Sequence, residues 1–185
     1  MNVGQRIAVI GAGSWGTALV KLLTTTQERV GWWVRKPATI QHIRKFGHNP
    51  DYISAAQLGS ERLAMDNDLH AVVKNADVLV LAVPSAFLKS TLDQLDKAEL
   101  YGKTIFSAVK GIVPESNQIV GEFLFQHWDL AEADFGVICG PCHAEEVAME
   151  RLSYLTIACQ QQVKAQAMGA ALNGRSLKTT LSDDI

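Results

Sequence analysis

Residues 6–19 read R-I-A-V-I-G-A-G-S-W-G-T-A-L, and this stretch decides the fold. Its first five residues make a short apolar run closed by Gly11, as expected of a strand buried on both faces. From Ser14 to Thr26 the period changes, with Trp15, Ala18, Leu19, Leu22 and Leu23 at helical spacing. Between the two lies Gly11-Ala12-Gly13-Ser14-Trp15-Gly16, a match to G-x-G-x-x-G. That pattern is weak alone and gains meaning from its place between a strand and a helix. Gly11 suits the tight turn, Gly13 lets the backbone approach a pyrophosphate, and Gly16 lets helix and strand pack closely. Free N–H groups and the positive end of the helix dipole then attract phosphates. A dinucleotide site is expected.

Outward from this unit the chain keeps the same rhythm. Strands are expected at residues 29–34 (RVGWWV), 63–65, 78–83 (VLVLAV), 104–108, 135–139, 155–159 and 177–180. Helices are expected at 37–46, 68–75, 86–95, 116–127 and 163–172, with another opening after Gly140-Pro141, where proline suits a helix start. Residues 47–59 read as a loop. Alternating strands and helices predict an α/β, Rossmann-like, doubly wound and mostly parallel sheet with helices on both faces, as one domain over residues 1–185. Gly11, Arg35, Pro84, Lys110 and Gly140 each follow a strand, so all five are expected along one sheet edge, where such folds bind ligands.

The 185 residues are 48% hydrophobic and 19% charged, with 5 Pro and 14 Gly, which excludes disordered and collagen-like classes. No apolar run reaches the roughly 18 residues of a membrane span, and no signal peptide is evident, so the cytoplasm is the expected compartment. Residues 1–60 carry seven Lys/Arg against two Asp/Glu, within a net charge of −2. Such a basic first third suits a phosphate-bearing ligand or a solvated surface, and no aromatic-plus-basic stripe points to nucleic acid. Trp33-Val34-Arg35-Lys36, where the second strand ends, has no acid to accept from a ribose. Arg35 can grip a 2′-phosphate and Lys36 adds charge, so NADP is favoured over NAD.

Cys139-Gly140-Pro141-Cys142-His143 matches both a C-x-x-C redox motif and a haem-attachment motif. It comes too late in the chain for a thioredoxin-like fold, and no export signal supports haem. Zinc lacks a second ligand pair, so no metal is expected. All three cysteines are expected to be reduced.

Together with the glycine loop, the H-N-P-x-Y stretch (residues 48–52), V-P-S at 83–85, K-G-I at 110–112 and G-P-C-H-A-E-E-V at 140–147 make the whole chain resemble the bacterial NAD(P)-dependent glycerol-3-phosphate dehydrogenases. The resemblance implies reversible reduction of dihydroxyacetone phosphate to sn-glycerol 3-phosphate, for phospholipid precursor synthesis. It implies that Ser14 and Trp15 lie on the coenzyme pyrophosphate, Arg35 at the adenosine ribose and Phe87 beside the dinucleotide. Lys110 would sit where nicotinamide and substrate meet. Gly140, Cys142 and Ala144 would line that end. Cys142 replaces the family's usual hydroxyl residue, and His143 stands where an aromatic residue is usual.

Family members continue into a helical domain that carries the proton-transferring lysine and the substrate-phosphate grip. The resemblance therefore implies a truncated piece, able to bind NADPH weakly, with negligible turnover and an exposed apolar face open to self-association. The complete protein is expected to be a homodimer acting on a small phosphorylated substrate. Alternatives are another two-domain hydroxyacid or sugar-nucleotide dehydrogenase, a nucleotide-binding sensor without catalysis, and a thiol–disulfide module.

Overall fold

Residues 5–185 are described by a computed structural model. The chain runs β1 (Ile7–Ile10), α1 (Ser14–Thr26), β2 (Val30–Trp33), α2 (Pro37–Phe46), β3 (Leu63–Asp66), α3 (Leu69–Lys74), β4 (Val78–Leu81) and α4 (Ser85–Leu92). It continues with β5 (Thr104–Ser107), α5 (Val120–Trp128), β6 (Phe135–Cys139), α6 (Ala144–Ala148), β7 (Ser153–Cys159), α7 (Gln162–Leu172) and β8 (Leu177–Ser182). One eight-stranded sheet results, in the order β3-β2-β1-β4-β5-β6-β7-β8.

β1, β4 and β5 are buried at every position; β1 and β4 are unbroken apolar runs because neither face of a central parallel strand meets water, and β5 buries Thr104 and Ser107 along with Ile105 and Phe106. Side chains alternate between two cores. Val9, Trp32 and Val80 pack with Leu19 of α1, Ile43 of α2, Val147 of α6 and Met168 of α7. Ile10, Trp33 and Leu81 pack on the other face with Val73 of α3, Leu88 of α4 and Leu124 of α5. Helices therefore cover both faces of the sheet.

The sheet is mostly parallel, as expected; β7 is antiparallel to β6, and β8 is parallel to β7, so the last two strands run against the other six. Two local expectations need correction. α5 begins at Val120 rather than 116, because the Val113 amide bonds the Gln118 carbonyl at 2.8 Å and Asn117 turns with φ 53°. Asparagine tolerates that left-handed conformation. Pro141 stands outside α6, whose cap is His143. β6 must first cross towards β7, and the carbonyl of Tyr154 comes so close that a Cβ at Gly140 would stand 2.6 Å from it.

The amino ends of β1 and β4 are clamped by one ion pair. Arg6 donates from Nη2 to Asp77 Oδ1 at 2.9 Å and from Nε to Oδ2 at 3.2 Å, and its backbone N–H donates to Oδ2 at 2.9 Å. The guanidinium hydrogen bond holds the Asp77 carboxyl down at about 2. A carboxyl lowered by folding contributes stability above its unfolded range, lost as pH falls from about 4 towards 2. The pair is half exposed, so its effect is modest. Asp77→Asn is expected to lower the urea midpoint by about 0.3 M at pH 7 and to leave it nearly unchanged at pH 2. An equal loss at both pH values in urea melts would exclude a charge-dependent clamp.

Candidate functional site

The strand order reverses between β1 and β4, and the glycine loop lies at that switch. Gly11 turns with φ 120°, a conformation open to glycine. Its carbonyl accepts from the buried indole N–H of Trp32 at 2.9 Å, which fixes the turn to β2. A Cβ at Gly16 would lie 2.2 Å from that same carbonyl oxygen, so α1 starts in direct contact with the turn. Gly13 caps α1 without a side-chain hydrogen bond, and a Cβ there would meet nothing within 4 Å. The start of α1 is therefore open at Gly13, and among the described residues the amides of Ser14, Trp15 and Gly16 have no backbone acceptor. Among the described residues, the indole N–H of Trp15 is buried with no acceptor.

A cleft of about 210 Å³ opens at this edge. It is lined by Gly11, Ala12 and Gly13 of the loop, by Arg35 and Lys36 after β2, and by Pro84, Phe87 and Thr91 after β4. Phe87 is 57% exposed, so its ring is free to cover a flat ligand group. The volume is below the roughly 300–1,000 Å³ of a typical small-molecule pocket, which suits one end of a dinucleotide. A larger hollow beside Arg6, Arg29 and Arg44 lies near the strand starts, the wrong end for a doubly wound sheet.

The expected residues thus divide. Gly11, Gly13, Arg35, Lys36 and Phe87 share the cleft. Ser14, Trp15, Gly16, Lys110, Gly140, Cys142 and Ala144 are not among its walls. Gly16 acts behind the loop, and Ser14 and Trp15 open α1. Lys110 Nζ donates to the Cys142 carbonyl at 3.3 Å and stands 5.5 Å from the Trp15 ring centre, within cation–π range. It therefore joins the carboxyl ends of β5 and β6 to the glycine loop. The Cys142 thiol is buried and donates to the Tyr154 carbonyl at 2.9 Å, so this residue turns only its backbone towards Lys110. Ala144 sits in the core.

The sequence view of an acid-free ribose end is corrected. Asp51 enters the cleft and bonds Lys36 at 3.1 Å. Fifteen positions separate the pair, so no strand-end motif could reveal it. Thr39, Tyr52 and Thr91 also line the cleft and were not foreseen. Asn49 holds this arrangement from beneath. It is fully buried, its amide donates to the Ala12 carbonyl at 3.1 Å and Thr17 Oγ1 at 2.9 Å, and its oxygen accepts from the Asp51 amide at 3.0 Å. The only signal in the sequence was the H-N-P-x-Y stretch.

All three thiols are free, with Cys139 exposed and the others buried. Among the described residues, no group of three His, Cys, Asp or Glu side chains could hold a metal, and no helix is long and apolar enough to cross a membrane.

Residues 6–165 match the family model described as NAD-dependent glycerol-3-phosphate dehydrogenase N-terminus. The chain belongs to this family. A relative from Pseudomonas syringae pv. syringae (strain B728a), named glycerol-3-phosphate dehydrogenase (NAD(P)+), is 33% identical over 184 residues, covering 100% of this chain and 53% of its own length. One of the same name from Oceanobacillus iheyensis is 31% identical over 181 residues, covering 98% and 52%. The chain spans about half the length of the curated relatives it matches. Among solved structures, glycerol-3-phosphate dehydrogenase from Coxiella burnetii has a TM-score of 0.86 at 24% identity, over 98% of this chain and 55% of that one. The Plasmodium falciparum glycerol-3-phosphate dehydrogenase gives 0.85 at 21%, over 96% and 52%. At those identities the likeness establishes the fold.

Proposed function

We propose that the chain is the coenzyme-holding part of a dehydrogenase that interconverts dihydroxyacetone phosphate and sn-glycerol 3-phosphate. The observation that carries this is the open space over Gly13 at the switch point, in a chain that belongs to the family by sequence. The first amides of α1 would receive the pyrophosphate of NAD or NADP, and the cleft beside Arg35 and Phe87 its adenosine end. When bound, the coenzyme supplies or accepts the hydride.

The protein's part is then positional and electrostatic. Lys110, held by the Cys142 carbonyl and the Trp15 ring, has N–H donors left for a carbonyl or alkoxide oxygen of a substrate seated at the strand ends. A preorganised cation there stabilises the oxygen as charge develops on it. The phosphate grip and the proton-transferring group belong to the remainder of the complete protein. The complete protein would work as a homodimer in the cytoplasm, and three unpaired thiols in this chain agree with such a reducing compartment.

Titration of this chain with NADH and NADPH, followed by quenching of its tryptophan fluorescence, tests the coenzyme site. Saturable quenching is expected, and its absence with both coenzymes refutes the proposal. In the complete protein, Lys110→Met is expected to lower kcat/KM for dihydroxyacetone phosphate by about 10²–10³-fold with coenzyme Kd within about threefold of the parent. A loss confined to coenzyme binding would move Lys110 out of its substrate role.

A further inference from the structure

Asp51 supplies from a distant loop the acid that the end of β2 lacks. Its Oδ2 accepts from the Lys36 ammonium at 3.1 Å and from the Thr39 hydroxyl at 3.3 Å. Among the described residues its Oδ1 takes no hydrogen bond from a side chain. The carboxylate is also well located. The Asp51 amide is bonded to Asn49, and Asn49 to the glycine loop, so the two ends of the cleft share one buried anchor.

These contacts bear differently on the two coenzymes. A ribose 2′-hydroxyl can donate to the free carboxylate oxygen and leave the ion pair intact. A 2′-phosphate adds negative charge beside Asp51, and the nearest flexible cation, Lys36, is already engaged. Among the described residues that line the cleft, Arg35 is the one other cation left to answer it. We propose that Asp51, through its hold on Lys36, is a specificity-determining residue that turns this site towards the dinucleotide without a 2′-phosphate. This reverses the preference expected from Arg35 and Lys36 by themselves. It depends on the cleft taking the adenosine end of a dinucleotide, as proposed above.

The test is calorimetric titration of the parent and Asp51→Asn with NADH and with NADPH at one ionic strength. The variant is expected to lower the ratio of Kd for NADPH to Kd for NADH by about tenfold, mainly by tighter NADPH binding as Lys36 is released. Lys36→Gln is expected to weaken NADPH binding clearly in the Asp51→Asn background and little in the parent. A ratio that does not move in Asp51→Asn overturns the proposal. Should that variant fail to fold, the parent alone decides: ADP-ribose is expected to bind about tenfold tighter than 2′-phospho-ADP-ribose, and equal or reversed affinities overturn the proposal. A parent that binds neither coenzyme brings down the dinucleotide site itself. A parent that binds both, with an unmoved ratio, brings down only the role of Asp51.

Discussion

Gly16→Ala is expected to cost about 3 kcal/mol and to lower Tm by about 6–12 °C, whereas Gly13→Ala, three residues earlier, should leave Tm nearly unchanged. The contrast follows from what each added methyl meets. At Gly16 the Cβ would stand 2.2 Å from the Gly11 carbonyl oxygen and 3.0 Å from its carbon. Neither atom can yield freely, because that carbonyl accepts from Trp32 and the Gly11 amide is tied to the Trp33 carbonyl. The start of α1 must therefore lift from β1, and coenzyme affinity falls with it. At Gly13 the methyl would enter open space, and the backbone at φ −76° suits alanine. Its cost appears only when a pyrophosphate arrives: coenzyme Kd is expected to rise by at least about tenfold in a protein as stable as the parent. Calorimetric melts with and without NADH measure both effects. Equal melting losses in the two variants, or full coenzyme affinity in Gly13→Ala, would contradict this account of the loop.

The second large effect is expected at Asn49. Asn49→Ala removes one side chain that serves three partners, leaving the Ala12 carbonyl, the Thr17 hydroxyl and the Asp51 amide without it. Buried polar groups stripped of a partner cost about 1–3 kcal/mol each, less where water enters, so a loss of about 2–4 kcal/mol is expected in urea melts. The same side chain couples the phosphate loop to the Asp51 loop. Coenzyme affinity should therefore fall further than stability alone explains, even where the variant is fully folded. Hydrogen exchange provides the local readout: the amides of Thr17 and of Asp51 should lose protection before those of β5. Uniform loss of protection would mean a general weakening rather than a broken link between the two loops.

The contrast between Asn49 and Gly16 shows what was legible in the sequence. G-x-G-x-x-G binds locally, within six residues, and its glycine roles follow from steric rules that hold wherever a strand turns into a helix. Helices α1 and α2 were read to their last residues for the same reason: the apolar period and the stop signals are local. α5 starts four residues later than its period predicts because the Val113–Gln118 bridge competes with the first helical turn, and that bridge needs a backbone partner that periodicity does not report. The direction of β7 was likewise hidden. A buried run of apolar residues reads the same whether its neighbour is parallel or antiparallel.

At the candidate site the division is similar. Arg35 and Lys36 were visible as the end of a strand, but the pairing of Lys36 was not. An ion pair with Asp51 depends on where a thirteen-residue loop returns, and Asn49 determines that by a contact 37 positions away at Ala12. Lys110 was placed at the correct sheet edge by strand order alone. Its clamp between Trp15 and the Cys142 carbonyl, and the turning of the Cys142 thiol into the core, came only from packing. Short-range sterics and periodicity, then, determined from the sequence an alternating α/β chain with a glycine turn between its first strand and helix. Charge pairing, thiol orientation and strand direction were decided by tertiary structure, because each depends on contacts between separate segments that local sequence does not report, whether buried, as at Cys142, or exposed, as between Lys36 and Asp51.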